Sequence, residues 1–444
     1  MSNKRFGILS FLIVVVLGLT AAPSFAQNKI QVKFWHAMGS DARLKAIDQM
    51  VKDFEAANPD IEVTATFKGG YADVFNATLL TSRQASAPNI IQLYEIGSQL
   101  AIDSGVFVPI GDVIDDAGKK QLDDIIPSIG AYYSFNGKYN SVPWNASNPI
   151  LYYNKDIMKA AGLDPEKPPA TWADVMADCK AIIDSKAAPK CITFQVYGWF
   201  FEQWLALENQ ALVDNDNGRS GRATKSNMDS SAAADVFNFY KELNDAGYYV
   251  YSGKLEDSDG TGAIFQSKQA AFMLESTSDL GDNVAAAEKN GYALGEGKLP
   301  INDKVPRNGN VVGGASLWLV GGHSDEETKA AAKFILFLNS GPEMVAWHKA
   351  SGYLPITGAA QKLLDDEKWF DTHPGFKVAL DQLNESKANV ASSGALIGQF
   401  QKVRDIVEQN IQAVLNGGMD VKAAQDDAQK RVDAVLADYN ANFQ

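Results

Sequence analysis

Residues 30–67 read IQVKFWHAMGSDARLKAIDQMVKDFEAANPDIEVTATF, and this stretch decides the fold class. Ile30, Val32 and Phe34 alternate with polar residues, the two-residue period of a strand over 29–35. Ser40 then stands where a helix cap belongs. Leu44, Ile47, Met50, Val51 and Phe54 follow at helical spacing until Asn58-Pro59 ends the run. Alternation resumes at Ile61, Val63, Ala65 and Phe67. A helix around 73–85 and an apolar strand, Ile90–Tyr94, complete a β-α-β-α-β order. That order predicts a parallel sheet with helices on its faces, so the class is α/β.

Further on, NPILYYNKDIMKAAGLDPEKPPATW (148–172) changes character. Pro165, Pro168 and Pro169 mark a loop, and Thr171-Trp172 opens a helix. Helical patterns dominate 172–290, and strand character returns at Val311–Val320. Ser324 with Glu327 forms a capping box for a helix over 325–339. Pro342 opens a short helix that Ser351-Gly352 stops, and Tyr353 follows just before Pro355. Two helices, near 398–416 and 420–441, close the chain. A return to strand after so long a helical excursion predicts two interleaved lobes rather than domains in series. The length, 444 residues, agrees, because it exceeds what one compact core holds. The expected division is 27–144 with 299–321 in one lobe, and 145–298 with 322–444 in the other.

The first 26 residues read as a secretory signal peptide. Lys4 and Arg5 precede an apolar run from Phe6 to Ala22, and Ser24-Phe25-Ala26 places small residues before a cut at Gln27. No cysteine sits near that cut, so no membrane anchor is expected; the product is expected to be exported and soluble, in the periplasm. The formal net charge is −14, which argues against nucleic acid and anionic membrane as partners. Cys179 and Cys191 are the two cysteines. In an oxidising compartment they can close a small disulfide loop; two buried free thiols are the other reading.

Catalytic signatures are missing. There is no HExxH, Walker loop, GxSxG or CxxC, and the four histidines lack ligand spacing. Asp214–Gly218 hints at a calcium loop, but Gly218 falls at the fifth position and Lys225 where the bidentate glutamate belongs. No metal, cofactor or enzymatic step is therefore expected. What remains is polar residues at strand ends, where open α/β sheets hold ligands. Glu95 follows IIQLY, and Gly69-Gly70-Tyr71 follows the strand ending at Phe67. Asn145–Asn148 precedes an apolar run, and Gly313-Gly314 exposes backbone N–H groups. Tyr71 and Tyr353 read equally as ligand contacts or half-buried packing residues. Arg404 shares a helical stripe with Val407, Ile411 and Val414, so it faces inward and needs an anion: a neighbour such as Glu408, or a ligand phosphate. Trp199 and Trp204 bracket GWFFEQW, where either can cover a polyol or fill a core.

At these residues the chain resembles a known family. FWHAMGS, KGGY, YEIGS, LYYNKDIMKAAGLDPEKPPATW, GGASLW and WHKASGYLPIT are similar to the periplasmic glycerol-3-phosphate-binding proteins. These are solute receptors of ABC importers, of the maltodextrin type. The resemblance runs over roughly 30–440 and implies a two-lobed periplasmic-binding-protein fold with a ligand cleft. It implies a small phosphorylated polyol as ligand and the importer's permease and ATPase subunits as partners. It places Tyr71, Glu95, Ser147, Ser276, Gly314, Tyr353 and Arg404 at ligand positions, with Trp204 over the ligand. Arg404 and the hydroxyls of Tyr71, Ser147 and Tyr353 would hold the phosphate, Glu95 the glycerol hydroxyls, and Gly314 would offer its N–H. Two departures stand out: Glu275 precedes Ser276, and the family's second tryptophan is matched only loosely by Trp199 or Phe201. A wider pocket would favour glycerophosphocholine. A neutral oligosaccharide, with Arg404 paired to a protein carboxylate, and an exported glycerophosphodiester hydrolase are the alternatives.

Overall fold

A computed structural model describes residues 29–443; the signal-peptide reading of 1–26 lies outside them. Among the described residues no helix is long and apolar enough to cross a membrane.

The opening stretch folds as its periodicity dictates. Strands Ile30–His36 and Ile61–Phe67 pair in parallel, and Ile90–Tyr94 lies parallel on the other side of Ile30–His36. The intervening helix, Asp41–Ala57, buries Ile47, Met50 and Phe54. Ser40 occupies its N-cap position without a side-chain bond. Gly313–Val320 joins this sheet antiparallel to Ile90–Tyr94, and Val142–Ser147 pairs with it in turn.

A second sheet runs in the order Tyr249–Val250, Lys190–Thr193, Ala270–Ser276, Pro149–Asn154, Leu294–Lys298. Three of its strands fall inside the segment that read as helical. Ala270–Ser276 (AAFMLES) is buried almost throughout, so it lacks the alternation that identifies a strand with one wet face.

The chain passes between sheets at Asn148, where Val142–Ser147 ends in one and Pro149–Asn154 begins in the other. It passes back over 299–312. Gln382 ties the two crossings together. Its Nε2 donates to Asn148 Oδ1 at 3.2 Å and to the Pro149 oxygen at 2.8 Å, while its Oε1 accepts from Leu299 N at 2.7 Å. A fully buried amide with these partners fixes the spacing of the two connecting strands.

The expected division of the lobes shifts at two places. Residues 145–147 belong to the first sheet, so the crossing lies at Asn148. Helices Asp325–Leu338 and Gly341–Ser351, expected in the second lobe, rest on the first. Phe334 meets Phe34 and Phe54 edge-on at 6.0 and 4.9 Å, and Trp347 stacks on Trp144 at 4.3 Å. Their apolar stripes cover a sheet face that the helix Asp41–Ala57 leaves partly open. Sequence periodicity reports such stripes but not which sheet receives them.

Cys179 and Cys191 are bonded, joining the helix Trp172–Asp184 to the strand Lys190–Thr193 in the second lobe. A loop this short contributes about 3 kcal/mol in the chain-entropy account. The double variant Cys179→Ser/Cys191→Ser should therefore lower the urea midpoint by that equivalent. Reductant should shift the wild type alike and the variant not at all; an unshifted variant would show that the bond contributes nothing.

Candidate functional site

A cavity of about 380 Å³ opens between the two sheets. Tyr71, Tyr94, Glu95, Ser147 and Gly314 line it from the first lobe. Trp199, Glu256, Glu275, Ser276, Ser278 and Asp279 line it from the second, with Gln195, Tyr197 and Ser258; Tyr353 completes the wall. A larger crevice, about 450 Å³, lies beside Leu280, Tyr292, Trp369 and Phe376. The interlobe cavity is the candidate because hydroxyls from both lobes converge on it beside carboxyls that burial shifts upward, Glu95, Glu275 and Asp279.

Each side chain is placed by local structure. Tyr71 opens the helix Tyr71–Thr81 after Gly70, whose N–H donates to Asp73 Oδ2 at 2.8 Å. Its hydroxyl accepts from Asn145 Nδ2 at 2.8 Å, and its ring stacks on Tyr94 at 5.6 Å. Burial raises its pKa well above the phenolic range, so it remains a donor. Gly352 caps the helix Gly341–Ser351 in the left-handed region, and Tyr353 follows, buried. The backbone of Tyr353 is held at both ends: His348 Nδ1 lies 2.7 Å from its oxygen, and its N–H donates to Ser351 Oγ at 3.3 Å. That leaves little motion to lose when its hydroxyl is engaged. Gly314 has φ +99°, and a Cβ there would lie 1.9 Å from the Asn145 oxygen, so no other residue fits this turn of the cavity wall.

Ser276 ends the strand Ala270–Ser276, and its Oγ lies 3.0 Å from Ser278 Oγ. The Glu275 carboxylate does reach the cavity, but three donors hold it: Gln195 Nε2 at 2.7 Å, Ser276 N at 2.8 Å and Ser258 Oγ at 3.2 Å. Ser258 Oγ also lies 3.1 Å from Asp279 Oδ2, so the two carboxyls share one hydroxyl. Burial first, then the Asp279 charge, pushes Glu275 up to about 8. A protonated Glu275 removes most of the repulsion that a carboxylate would exert on an anionic ligand.

Arg404 has committed its donors within the protein. Nε and Nη2 grip Glu202 at 2.6 and 2.9 Å, Nη2 also reaches Glu95 at 2.9 Å, and Nη1 donates to the Tyr197 hydroxyl at 3.0 Å. The side chain is 2 % exposed and does not line the cavity. Its protein partners are thus Glu202, Glu95 and Tyr197 and not Glu408, which instead accepts from Gly198 N at 2.8 Å. Gly198 makes the approach possible, since a Cβ there would lie 2.7 Å from Arg404 Cγ. Because Glu95 stands on the first lobe and Arg404 and Glu202 on the second, the ion pair spans the lobes. Burial raises the Glu95 pKa, and Arg404 pulls it part of the way back.

Trp204 is not over the cavity. It is buried in the second lobe's core, donating its indole N–H to the Pro300 oxygen at 3.0 Å. Trp199, one turn earlier, takes the lining position. The helix Gly198–Leu207 is buried on all sides, so spacing alone gave no facing direction. Sequence reasoning also missed Tyr94, Gln195, Tyr197 and Ser278; strand-end position was the available signal for Tyr94. One group among the described residues has metal-ligand spacing: Glu256, Asp405 and Glu408, with ligand atoms within 4.8 Å. Glu408 is pushed up to about 9, first by burial.

Residues 49–378 match the model of the bacterial extracellular solute-binding proteins. The chain belongs to that family. It is 33% identical to the sn-glycerol-3-phosphate-binding periplasmic protein UgpB of Brucella melitensis, over 93% of this chain and 94% of that one. It is 34% identical to the UgpB of Agrobacterium fabrum over 93% of each chain. Among solved structures it superposes on a cyclic alpha-maltosyl-1,6-maltose binding protein from Arthrobacter globiformis with TM-score 0.78, at 22% identity over 92% of this chain and 99% of that one. It superposes on UgpB from Mycobacterium tuberculosis, in complex with glycerophosphocholine, with TM-score 0.76, at 22% identity over 93% and 99%. The family resemblance carried by KGGY, YEIGS, GGASLW and WHKASGYLPIT is thus borne out, as is the two-lobed fold.

Two outcomes follow from this electrostatic arrangement. Arg404→Ala strands two buried carboxylates and should lower stability by about 3–5 kcal/mol in urea unfolding; an undiminished midpoint would show the ion pair to be dispensable. Glu275 binds its proton more tightly folded than unfolded, so its contribution is complete below its ordinary value of 4.5 and is lost as pH rises through about 8. The melting temperature of wild type should fall across that window more steeply than that of Glu275→Gln; parallel curves would remove Glu275 as the cause.

Proposed function

We propose that this chain is the periplasmic receptor of an ABC importer and that the interlobe cavity takes a small phosphate ester of glycerol, sn-glycerol-3-phosphate first. The observation that carries this reading is the convergence of Tyr71, Ser147, Gly314, Ser276 and Tyr353, from both lobes, on a single cavity. Hydroxyls and a backbone N–H are neutral donors suited to phosphate oxygens. The identity of 31–34% over nearly the whole chain to glycerol-3-phosphate-binding proteins supports the same class.

In this reading Arg404 acts from behind. It orients the Glu95 carboxylate toward the glycerol hydroxyls and adds positive potential without touching the phosphate. Trp199 supplies an apolar face to the carbon chain. The ligand contacts both lobes, so it favours the closed state by its differential affinity, and the permease reads that state. No bond is made or broken, so no nucleophile or metal is needed. Export through the amino-terminal leader brings the receptor to the periplasm.

A second reading rests on the acidic groups in the same wall, Glu256, Glu275 and Asp279. Glu256 and Asp279, with Glu275 protonated between them, favour a glycerophosphodiester whose head group carries a positive charge, such as glycerophosphocholine. The pairing of Arg404 with protein carboxylates is also what a neutral-oligosaccharide receptor would have, so maltose belongs in the test.

Calorimetric titration with glycerol-3-phosphate, glycerol-2-phosphate, glycerophosphocholine and maltose separates these readings. The phosphate esters should bind and maltose should not; maltose binding without ester binding would reject the proposal, and turnover of the diester would reject the receptor role. Tyr353→Phe should cost about 1–2 kcal/mol of ester affinity. Lost stability with unaltered affinity would return Tyr353 to packing.

A further inference from the structure

Beside the cavity stands a residue that neither the strand-end logic nor the family positions single out. Arg43 lies in the first turn of the helix Asp41–Ala57, on the first lobe. Its Nη2 donates to the backbone oxygen of Ser278, on the second lobe, at 3.2 Å. Its guanidinium carbon stands 5.2 Å from the centre of the Tyr353 ring, and that ring also stacks on Trp347 at 5.9 Å and 7°. Ser278 in turn donates its N–H to Ser276 Oγ at 3.2 Å. One side chain therefore fixes the ring of one candidate ligand residue and the hydrogen-bonding neighbour of another, across the two lobes.

The surroundings explain why a cation sits there. Arg43 shares an adjoining cavity of about 360 Å³ with Asp259, Glu275, Asp279 and Asp282, all on the second lobe. Glu275, Asp279 and Ser258 wall both cavities, whereas Arg43 walls only the adjoining one. A guanidinium on one rim facing Asp259, Asp279 and Asp282 on the other draws the rims together. Its place outside the interlobe cavity means that it acts through Tyr353 and Ser276, not on the ligand.

We propose that Arg43 is a positioning residue for ligand binding, a latch that clamps Tyr353 and ties the Ser276–Ser278 turn to the first lobe once the lobes have closed. This rests on the interlobe cavity being the ligand site. A latch of this kind acts after encounter, so its loss speeds dissociation and leaves association nearly unchanged. It also acts equally on ligands of different charge, whereas a direct contact to phosphate would favour the more highly charged ester.

The test compares wild type, Arg43→Ala and Arg43→Lys in the full exported chain, with glycerol-3-phosphate and glycerophosphocholine as probes. Affinity comes from calorimetry, rates from stopped-flow tryptophan fluorescence, and fold integrity from thermal unfolding without ligand. Arg43→Ala should weaken both esters by about tenfold, the sum of one cation–π contact and one hydrogen bond. The loss should lie in dissociation, and the ligand-free melting temperature should stay near wild type. Arg43→Lys should recover part of it, and the Arg43→Ala effect should shrink in a Tyr353→Ala background. Wild-type affinity and rates in Arg43→Ala would overturn the latch. So would a loss much larger for glycerol-3-phosphate than for glycerophosphocholine, which would make Arg43 a phosphate contact. If wild type binds neither ester, the ligand reading fails, and the latch with it; an unaltered variant of a binding wild type overturns the latch alone.

Discussion

The Glu202–Arg404–Glu95 ion pair is the interaction on which the rest of the site depends. Three charges are held almost out of water, and each partner comes from a different segment. Isolated charges there would be prohibitive; paired, and with the Tyr197 hydroxyl taking a further donor, they are compatible with burial. The bidentate grip of Glu202 sets the plane of the guanidinium, and that plane sets where Glu95 can sit. Since Glu95 rides on the first sheet and Arg404 on the second lobe, the same pair sets how the lobes meet at the back of the cavity. A residue expected to hold the ligand's phosphate thus positions Glu95 in the cavity wall.

The front of the cavity has a different character. Its wall is hydroxyls, a tight glycine turn and two carboxyls that share the Ser258 hydroxyl. Tyr71 and Tyr353 are fixed by their own neighbours before any ligand arrives. Gln382 holds the two crossing strands at constant spacing, so opening of the proposed cleft would bend the short connections without separating them. In the proposed receptor, a rigid back, a pinned hinge and preset donors would let a ligand shift a population of closed molecules with little rearrangement inside either lobe.

Much of this was legible in the sequence, and the limits have physical causes. The parallel half of the first sheet was readable because Ile30–Phe67 alternates where one strand face is wet and repeats at helical spacing where a helix is half-buried. The second sheet was not, because Ala270–Ser276 is buried on both faces and an unbroken apolar run suits strand or helix alike. Ser276, at its end, came only from family resemblance. The inward direction of Arg404 followed from its stripe, but its partner Glu202 lies in GWFFEQW, a helix buried all round, where no periodicity marks which side chain faces what. The same cause explains why Trp199 and Trp204 could not be told apart. Arg43 reads as an ordinary exposed-face residue of an amphipathic helix; its partner Ser278 is 235 positions away.

The most direct measurement is a crystal structure of the exported protein with sn-glycerol-3-phosphate. The account predicts the phosphate among Tyr71, Ser147, Gly314, Ser276 and Tyr353, with Arg404 still bound to both Glu202 and Glu95. A phosphate seated on Arg404 with Glu95 displaced, or an ester bound outside the interlobe cavity, would contradict it.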